Sequence, residues 1–77
     1  MVKRKTKFIK ISYLPDITNF IKLASAVDGD VEVHKGKWVI DAKSIMGVMS
    51  LDMSSGATVV YPETATEFEE FLCNFEG

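Results

Sequence analysis

Apolar and polar residues alternate over the first part of the chain, from Lys5 to Tyr13. Ile9, Ile11 and Tyr13 fall on one side of this alternation. A period of two is typical of a β-strand with one buried face. The pattern therefore predicts a first strand over residues 5–13, which Pro15 ends because proline has no amide hydrogen to donate.

A first helix is predicted to begin near Pro15 and Asp16. Proline fits the first turn of a helix, and an aspartate side chain can accept a hydrogen bond from the free amides there. The apolar residues that follow recur at spacings of three and four: Ile17, Phe20, Ile21, Ala24 and Val27. This spacing predicts one buried helix face. Asp28-Gly29-Asp30 should end the helix.

Three more segments are predicted to be strands. Val31 and Val33 alternate with polar residues, and Lys35-Gly36 then precedes the segment 37–40. Glycine tolerates positive φ, so this pattern predicts two short antiparallel strands joined by a tight turn. The β-branched and aromatic segment 57–61, followed by a proline, predicts a fourth strand.

Two further helices are indicated. Ser44 can cap the first of them, and the segment 45–51 is more apolar than one buried stripe requires, so part of it should be exposed. Thr64 and Glu67 have the spacing of a capping box at the start of the second. Its predicted core face comprises Ala65, Phe68, Phe71, Leu72 and Phe75. Cys73 is predicted to be a small buried residue rather than a reactive thiol.

The element order is thus β-α-β-β-α-β-α, which predicts an α+β fold. Each amphipathic helix needs a partner surface, so we expect an open-faced sandwich: one antiparallel four-stranded sheet covered on one side by three helices. Residues 1–77 are expected to form a single domain, because a chain of this length supports one core.

The charges are unevenly distributed along the chain. Residues 1–43 hold all nine Lys and Arg side chains and five of the acidic ones, whereas residues 44–77 hold six acidic side chains and no basic one. The overall charge of −2 argues against a nucleic-acid partner. One alternative stays open, in which the basic segment 3–10 makes the chain a small binding module for an acidic partner or nucleic acid. No apolar run is long enough to span a membrane, so no membrane contact and a cytoplasmic location are expected.

The run Ala42–Leu51, AKSIMGVMSL, resembles the regulatory segment of HPr, the histidine-containing phosphocarrier protein of the bacterial sugar phosphotransferase system. The resemblance extends to the element order of nearly the whole chain, and it implies the spatial strand order one, four, two, three. It also implies that Ser44 is a phosphorylation site for HPr kinase/phosphorylase. Ile45, Met46 and Met49 would belong to the face that binds Enzyme I, sugar permease components and regulatory proteins.

The chain departs from the family at the carrier site. Where the family has its phosphate-carrying histidine, this chain reads ISYLPDI over residues 11–17. Tyr13 or Pro15 takes the carrier position, depending on the alignment, and neither side chain offers a nitrogen that accepts and releases a phosphoryl group. The one histidine is His34, predicted to lie exposed on a strand, and the one arginine is Arg4.

The sequence therefore predicts an HPr-like protein that is not an enzyme and does not carry phosphate on histidine. It would act as a regulatory or docking protein in sugar transport or carbon catabolite control, with phosphotransferase-system proteins or a LacI-type catabolite regulator as partners. No cofactor or metal is expected, because one His, one Cys and scattered glycines make no triad, zinc set or phosphate-binding loop. A role as an assembly piece of a larger carbohydrate enzyme or transport complex also stays open, as do the sugar, the partner and the oligomeric state.

Overall fold

The computed structural model describes residues 2–76. Their elements follow the predicted order, with one added turn of 3-10 helix before the last strand. In chain order they are β1 (Arg4–Ile9), α1 (Leu14–Ala26), β2 (Glu32–Lys35), β3 (Trp38–Asp41), α2 (Ile45–Met49), the 3-10 helix (Met53–Ser55), β4 (Ala57–Pro62) and α3 (Thr66–Cys73).

The four strands form one antiparallel sheet in the order β1-β4-β2-β3, as the resemblance implied. Val33 pairs with Val59 on one side and with Ile40 on the other, which fixes the register at the centre of the sheet. The face that carries these valines is buried, whereas the opposite face, which includes His34, is only partly covered. The fold is therefore the predicted open-faced α+β sandwich. None of the helices in residues 2–76 has the length and apolar character needed to cross a membrane.

The core lies between the sheet and the helices. Phe20 of α1 and Tyr61 of β4 both contact Phe68 of α3, with ring centroids 5.5 and 5.8 Å apart. Within residues 2–76, the strands and helices contribute apolar side chains that are almost fully buried, among them Ile9, Val33 and Val59. The predicted helix faces are confirmed in part by this set, which includes Phe20, Ile21, Ala24, Phe68 and Leu72.

The first strand is shorter than predicted. It ends at Ile9 rather than at Tyr13, because its partner β4 begins at Ala57, opposite Ile9. The backbone of Ile11 then donates to the carbonyl of Met53 at 3.0 Å instead of continuing the ladder. Ile11 stays buried, whereas Tyr13 is exposed.

Two predicted helix caps are wrong. Tyr13 is the N-cap residue of α1 and no side chain caps it, so the expected contribution of Asp16 is not made. The hydroxyl of Thr18 donates to the carbonyl of Pro15, a bond that satisfies a carbonyl and none of the free amides. Helix α3 begins at Thr66, and its N-cap residue, Ala65, has no side-chain acceptor, so the predicted capping box lies too early in the chain.

Cys73 is also placed differently from the prediction. It is exposed, because the buried positions of α3 are Phe68 and Leu72, four residues apart, and the next residue along the helix points away from that face.

The uneven charge of the sequence is balanced in three dimensions. The ammonium of Lys5 lies 2.7 Å from the carboxylate of Glu69, and Lys7 pairs with Glu76. The hydrogen bond from Lys7 to Glu76 raises the pKa of the lysine. The basic first strand and the acidic last part of the chain therefore neutralise each other in part.

Candidate functional site

Ser44 caps the second helix, as predicted. Its backbone is extended, and its hydroxyl oxygen accepts a hydrogen bond from the backbone N–H of Gly47 at 3.2 Å. This contact satisfies one of the amides that the start of a helix leaves free. The Ser44 side chain is otherwise exposed to solvent.

At Gly47, helix α2 lies close against the sheet. A Cβ atom added there would lie 2.6 Å from the Cγ2 methyl of Ile40 on β3. Because isoleucine is branched at Cβ, this methyl has little freedom to move aside. The glycine therefore lets α2 lie directly on β3 and fixes which residues of the helix face outward.

The outward side of α2 is apolar. Ile45, Met46 and Met49 are 56, 82 and 42 % exposed, whereas Val48 of the same helix is fully buried. The prediction that this segment has more apolar surface than the core can use is confirmed. We call these three exposed side chains the α2 face; methionines suit such surfaces because their flexible thioethers adapt to differently shaped partners.

Two contacts hold α2 alongside α1. The ammonium of Lys43 donates to the carbonyl of Val27, just after the end of α1, at 2.9 Å. Near the start of α1, the backbone of Ile11 bonds Met53, just after α2. The segment before α1 is therefore joined to the segment after α2, and the residue after α1 to a residue before α2, so the two helices run in roughly opposite directions.

The two residues that the sequence resemblance offers for the carrier position, Tyr13 and Pro15, lie at the beginning of α1. Tyr13 and Leu14 are 65 and 58 % exposed there. The carbonyl of Tyr13 accepts from the amides of Asp16 and Ile17, as expected at the start of a helix. The exposed groups here are the phenol of Tyr13 and the aliphatic side chain of Leu14.

The structure does not bring the chain's histidine or arginine to that position. His34 lies on the open face of the sheet, where its Nε2 is 3.0 Å from a Glu32 carboxylate oxygen. Arg4 lies at the start of β1, 4.0 Å from the same carboxylate. From there the strand runs about 16 Å to Ile9, four residues before Tyr13.

No group of three or more His, Cys, Asp or Glu side chains able to hold a metal ion occurs within residues 2–76. A shallow groove of about 610 Å³ lies elsewhere, between the end of α1 and the start of α3, lined in part by Leu23, Val27 and Phe68. Near the end of α2, hydrogen bonds from Ser54 lower the pKa of Asp52. This carboxylate caps the 3-10 helix, so its role is structural.

One comparison with known proteins decides the family. The model of a family described as the PTS HPr component phosphorylation site matches residues 16–61, more than half of the chain. The chain belongs to the HPr family. The HPr match runs from the first turn of α1 to the last part of β4 and includes Ser44 and the α2 face. Tyr13 and Pro15 lie outside it.

Membership in the HPr family makes the chain a phosphocarrier-like protein of the phosphotransferase system. The site residues predicted from the sequence separate into two groups. One is Ser44 with the α2 face, held against β3, and the other is Tyr13 with Pro15 at the beginning of α1. Sequence reasoning did not find Lys43 as the link between the two helices. A lysine that donates to the last carbonyl of a helix is a known contact, but the sequence does not show that Lys43 lies beside the end of α1.

Proposed function

We propose that this HPr-family protein acts by docking and not by relaying phosphoryl groups through histidine, within sugar transport or carbon catabolite control. The observation that carries the proposal is the pairing of an exposed apolar α2 face with a carrier position that holds Tyr13, Leu14 and Pro15. The partners would be phosphotransferase-system proteins or a LacI-type catabolite regulator in the cytoplasm.

The chemistry of the carrier position supports this proposal. A phosphocarrier needs a nucleophile that takes a phosphoryl group from one protein and gives it to the next. The aliphatic side chains of Leu14 and Pro15 have none, and the Tyr13 phenol has no nitrogen that could accept the phosphoryl group as histidine does. The nearest basic side chain in the sequence is Lys10, and no arginine is close enough to steady a phosphate.

The α2 face supports the docking part of the proposal. Three neighbouring apolar side chains remain exposed although Val48 of the same helix is fully buried, and apolar anchors supply much of the binding energy at protein interfaces. Docking on this face would also bring a partner close to Ser44.

We propose that phosphorylation of Ser44 by HPr kinase/phosphorylase switches this docking. Its hydroxyl is exposed at the beginning of α2, next to Ile45. A phosphate there would add a charge of about −1.5 to −2 beside an apolar surface. The charge would repel a partner that presents carboxylates and attract one that presents arginines.

The alternative binding module gains no support from the geometry of the basic strand. Lys5 and Lys7 are engaged with Glu69 and Glu76, and Arg4 lies near Glu32. A nucleic acid would have to displace these carboxylates before its phosphates could be neutralised.

Docking can be tested by titrating the protein with Enzyme I and, separately, with a LacI-type regulator while recording the methyl NMR signals of its methionines. The Met46 and Met49 signals should shift and the buried Met53 signal should not. Met46→Asp should weaken binding about tenfold or more, as expected for a central interface residue. Val2→Asp, at another exposed apolar residue, is the matched control and should bind as the wild type does. Equal effects of the two substitutions, or binding by neither partner, would refute the proposed surface.

A further inference from the structure

The outer edge of β3 has backbone groups without a partner strand. Trp38 pairs with Lys35 across the two-residue turn Gly36-Lys37, in which Gly36 has a φ of +59°. The residue pair that closes such a turn is hydrogen-bonded, and along a hairpin hydrogen-bonded pairs alternate with pairs that are not hydrogen-bonded. The bond from the Ala42 amide to the Val31 carbonyl, 2.9 Å, follows the same alternation.

It follows that Trp38 and Ile40 direct their backbone groups to β2, whereas Val39 directs its N–H and C=O outward. Among residues 2–76 no strand lies on that side, because β3 is the last strand of the sheet. The Asp41 amide also points outward, while the Asp41 carbonyl accepts from Ser44.

The two edges of the sheet differ. At β1 the chain's last residues cover part of the edge, because Ile9 forms a bridge with Glu76 and the Lys10 amide donates to the Phe75 carbonyl. At β3, Trp38 and Val39 are 60 and 56 % exposed. Proteins usually protect edge strands against pairing with other chains, so an uncovered edge with two large apolar side chains suggests a partner.

We propose that β3 pairs with β3 of a second copy of this chain, antiparallel and centred on Val39, so that two sheets join into one of eight strands. A two-fold axis at Val39 places the two Val39 residues opposite each other as a hydrogen-bonded pair. It also places Trp38 opposite Ile40 of the second copy and Lys37 opposite Asp41 of the second copy. The interface is isologous and closed, as in most homodimers.

The charges at the ends of β3 favour this occupant. Neither Lys37 nor Asp41 forms a salt bridge within residues 2–76. Lys37 lies over the Trp38 ring at 5.9 Å, and one Asp41 oxygen accepts from the Lys43 amide, which leaves the other oxygen free. Pairing about Val39 places Lys37 of each copy opposite Asp41 of the other, which gives two pairs of opposite charge. Opposite charges directly across a strand pair are favourable.

The dimer is expected to be weak, because two four-residue strands and one tryptophan per copy bury an area at the small end of specific interfaces. The contact is separate from the α2 docking proposed above. Either proposal can fail without the other.

The first test is a concentration series from about 10 µM to about 1 mM, followed by sedimentation equilibrium and tryptophan fluorescence. The mass should rise from 8.6 kDa toward twice that value. The emission of Trp38, the one tryptophan, should shift to shorter wavelength as the second copy covers it. A constant mass and an unchanged emission over the whole range would overturn the proposal.

Charge exchange then tests the register. Lys37→Glu and Asp41→Lys should each abolish dimerisation, because each puts two like-charge pairs into the interface. A mixture of the two variants should form a heterodimer with opposite charges in both pairs, and the double variant should dimerise again. Lys22→Glu, an exposed lysine on α1, is the control and should dimerise as the wild type does.

A cross-linking experiment covers the case in which Asp41→Lys fails to fold. In a background with Cys73→Ser, Val39→Cys should form an intermolecular disulfide on mild oxidation, since a directly opposed pair lies within disulfide range. Trp38→Cys should cross-link poorly, because position 38 lies opposite Ile40 of the second copy and is two residues away from position 38 of that copy. Equal cross-linking of the two variants, or a mixture that stays monomeric although both variants fold, would refute the register.

Discussion

At the residue scale, Tyr61 is a core residue that makes a polar contact. Its side chain is 1 % exposed and packs edge-on against Phe68, yet its hydroxyl donates to a Glu69 oxygen at 2.7 Å. Glu69 in turn pairs with Lys5, so three elements meet at one carboxylate. Burial raises the pKa of Tyr61 far above its usual value, and the hydroxyl therefore stays protonated as a donor.

Tyr61→Phe should lower the free energy of unfolding by about 1 kcal/mol, the usual net value of one hydrogen bond. The ring packing is kept, so a larger loss is not expected. Urea denaturation measures the change, with Tyr13→Phe at an exposed tyrosine as the control. Equal stability of Tyr61→Phe and the wild type would mean that the bond to Glu69 contributes nothing.

The pH dependence of stability should report on Glu69. Hydrogen bonds from Lys5 and then Tyr61 lower the pKa of this carboxyl below its usual 4.5. A lowered pKa in the folded state gives stability that is fully present above pH 4.5 and is lost as the pH falls through the folded-state pKa. Glu69→Gln should therefore flatten the fall in stability between about pH 6 and about pH 3 in urea titrations. Glu70→Gln, at an exposed neighbour, should leave the slope unchanged, and a slope equal in both variants would contradict the assignment.

Ser44 is the residue at which the proposed switch is tested. HPr kinase/phosphorylase with ATP should label the wild type and Ser50→Ala, but neither Ser44→Ala nor Ser44→Asn. Asparagine keeps an acceptor for the Gly47 amide, so it removes the hydroxyl while preserving the cap. Label on Ser44→Asn, or none on the wild type, would remove the switch and leave the docking proposal standing.

At the element scale, the turn into β4 depends on Gly56. Its φ of +105° and ψ of +142° suit glycine alone, and an added Cβ would lie 2.3 Å from the ring of Phe8 on β1. The ring therefore lies over the glycine and joins β1 to the beginning of β4.

Gly56→Ala should destabilise the fold by about 1–3 kcal/mol through backbone strain, with a further loss from the clash with Phe8. Phe8→Ala in the same chain should remove the clash and keep the strain, so the two substitutions should be non-additive. Thermal denaturation of the wild type, both single variants and the double variant gives the coupling energy. Strict additivity would show that the ring and the glycine act independently.

Hydrophobic spacing predicted the elements better than it predicted their ends. The period of two found β1, but the strand's end is fixed by where β4 begins, which the local pattern does not contain. The first residue of α3 was misplaced because Thr64 and Glu67 have a capping spacing that the turn from β4 does not use. Cys73 was placed inside because it neighbours the apolar stripe, although one step along a helix turns a side chain by 100°.

At the scale of the whole molecule, the strand order came from the resemblance and not from the residues. Each strand's pattern is compatible with several pairings, and only contacts between distant segments choose among them. The uneven charge could not be interpreted from the sequence either, because β1 and α3 are brought together only by the fold. The exposed α2 face was predictable, since the segment contains more apolar side chains than one buried stripe holds.

For the whole molecule we propose an HPr-family scaffold whose α2 face binds partners and whose proposed carrier position, at Tyr13 or Pro15, has no phosphate-accepting nitrogen. The central claim of this proposal is chemical: this protein does not accept a phosphoryl group from Enzyme I on histidine.

Incubation with radiolabelled phosphoenolpyruvate and Enzyme I tests that claim most directly, with a histidine-bearing HPr in the same reaction as the positive control. We expect strong acid-labile labelling of the control protein and no labelling of this protein or of its His34→Ala variant. An acid-labile phosphate on this protein, at His34 or elsewhere, would contradict the account.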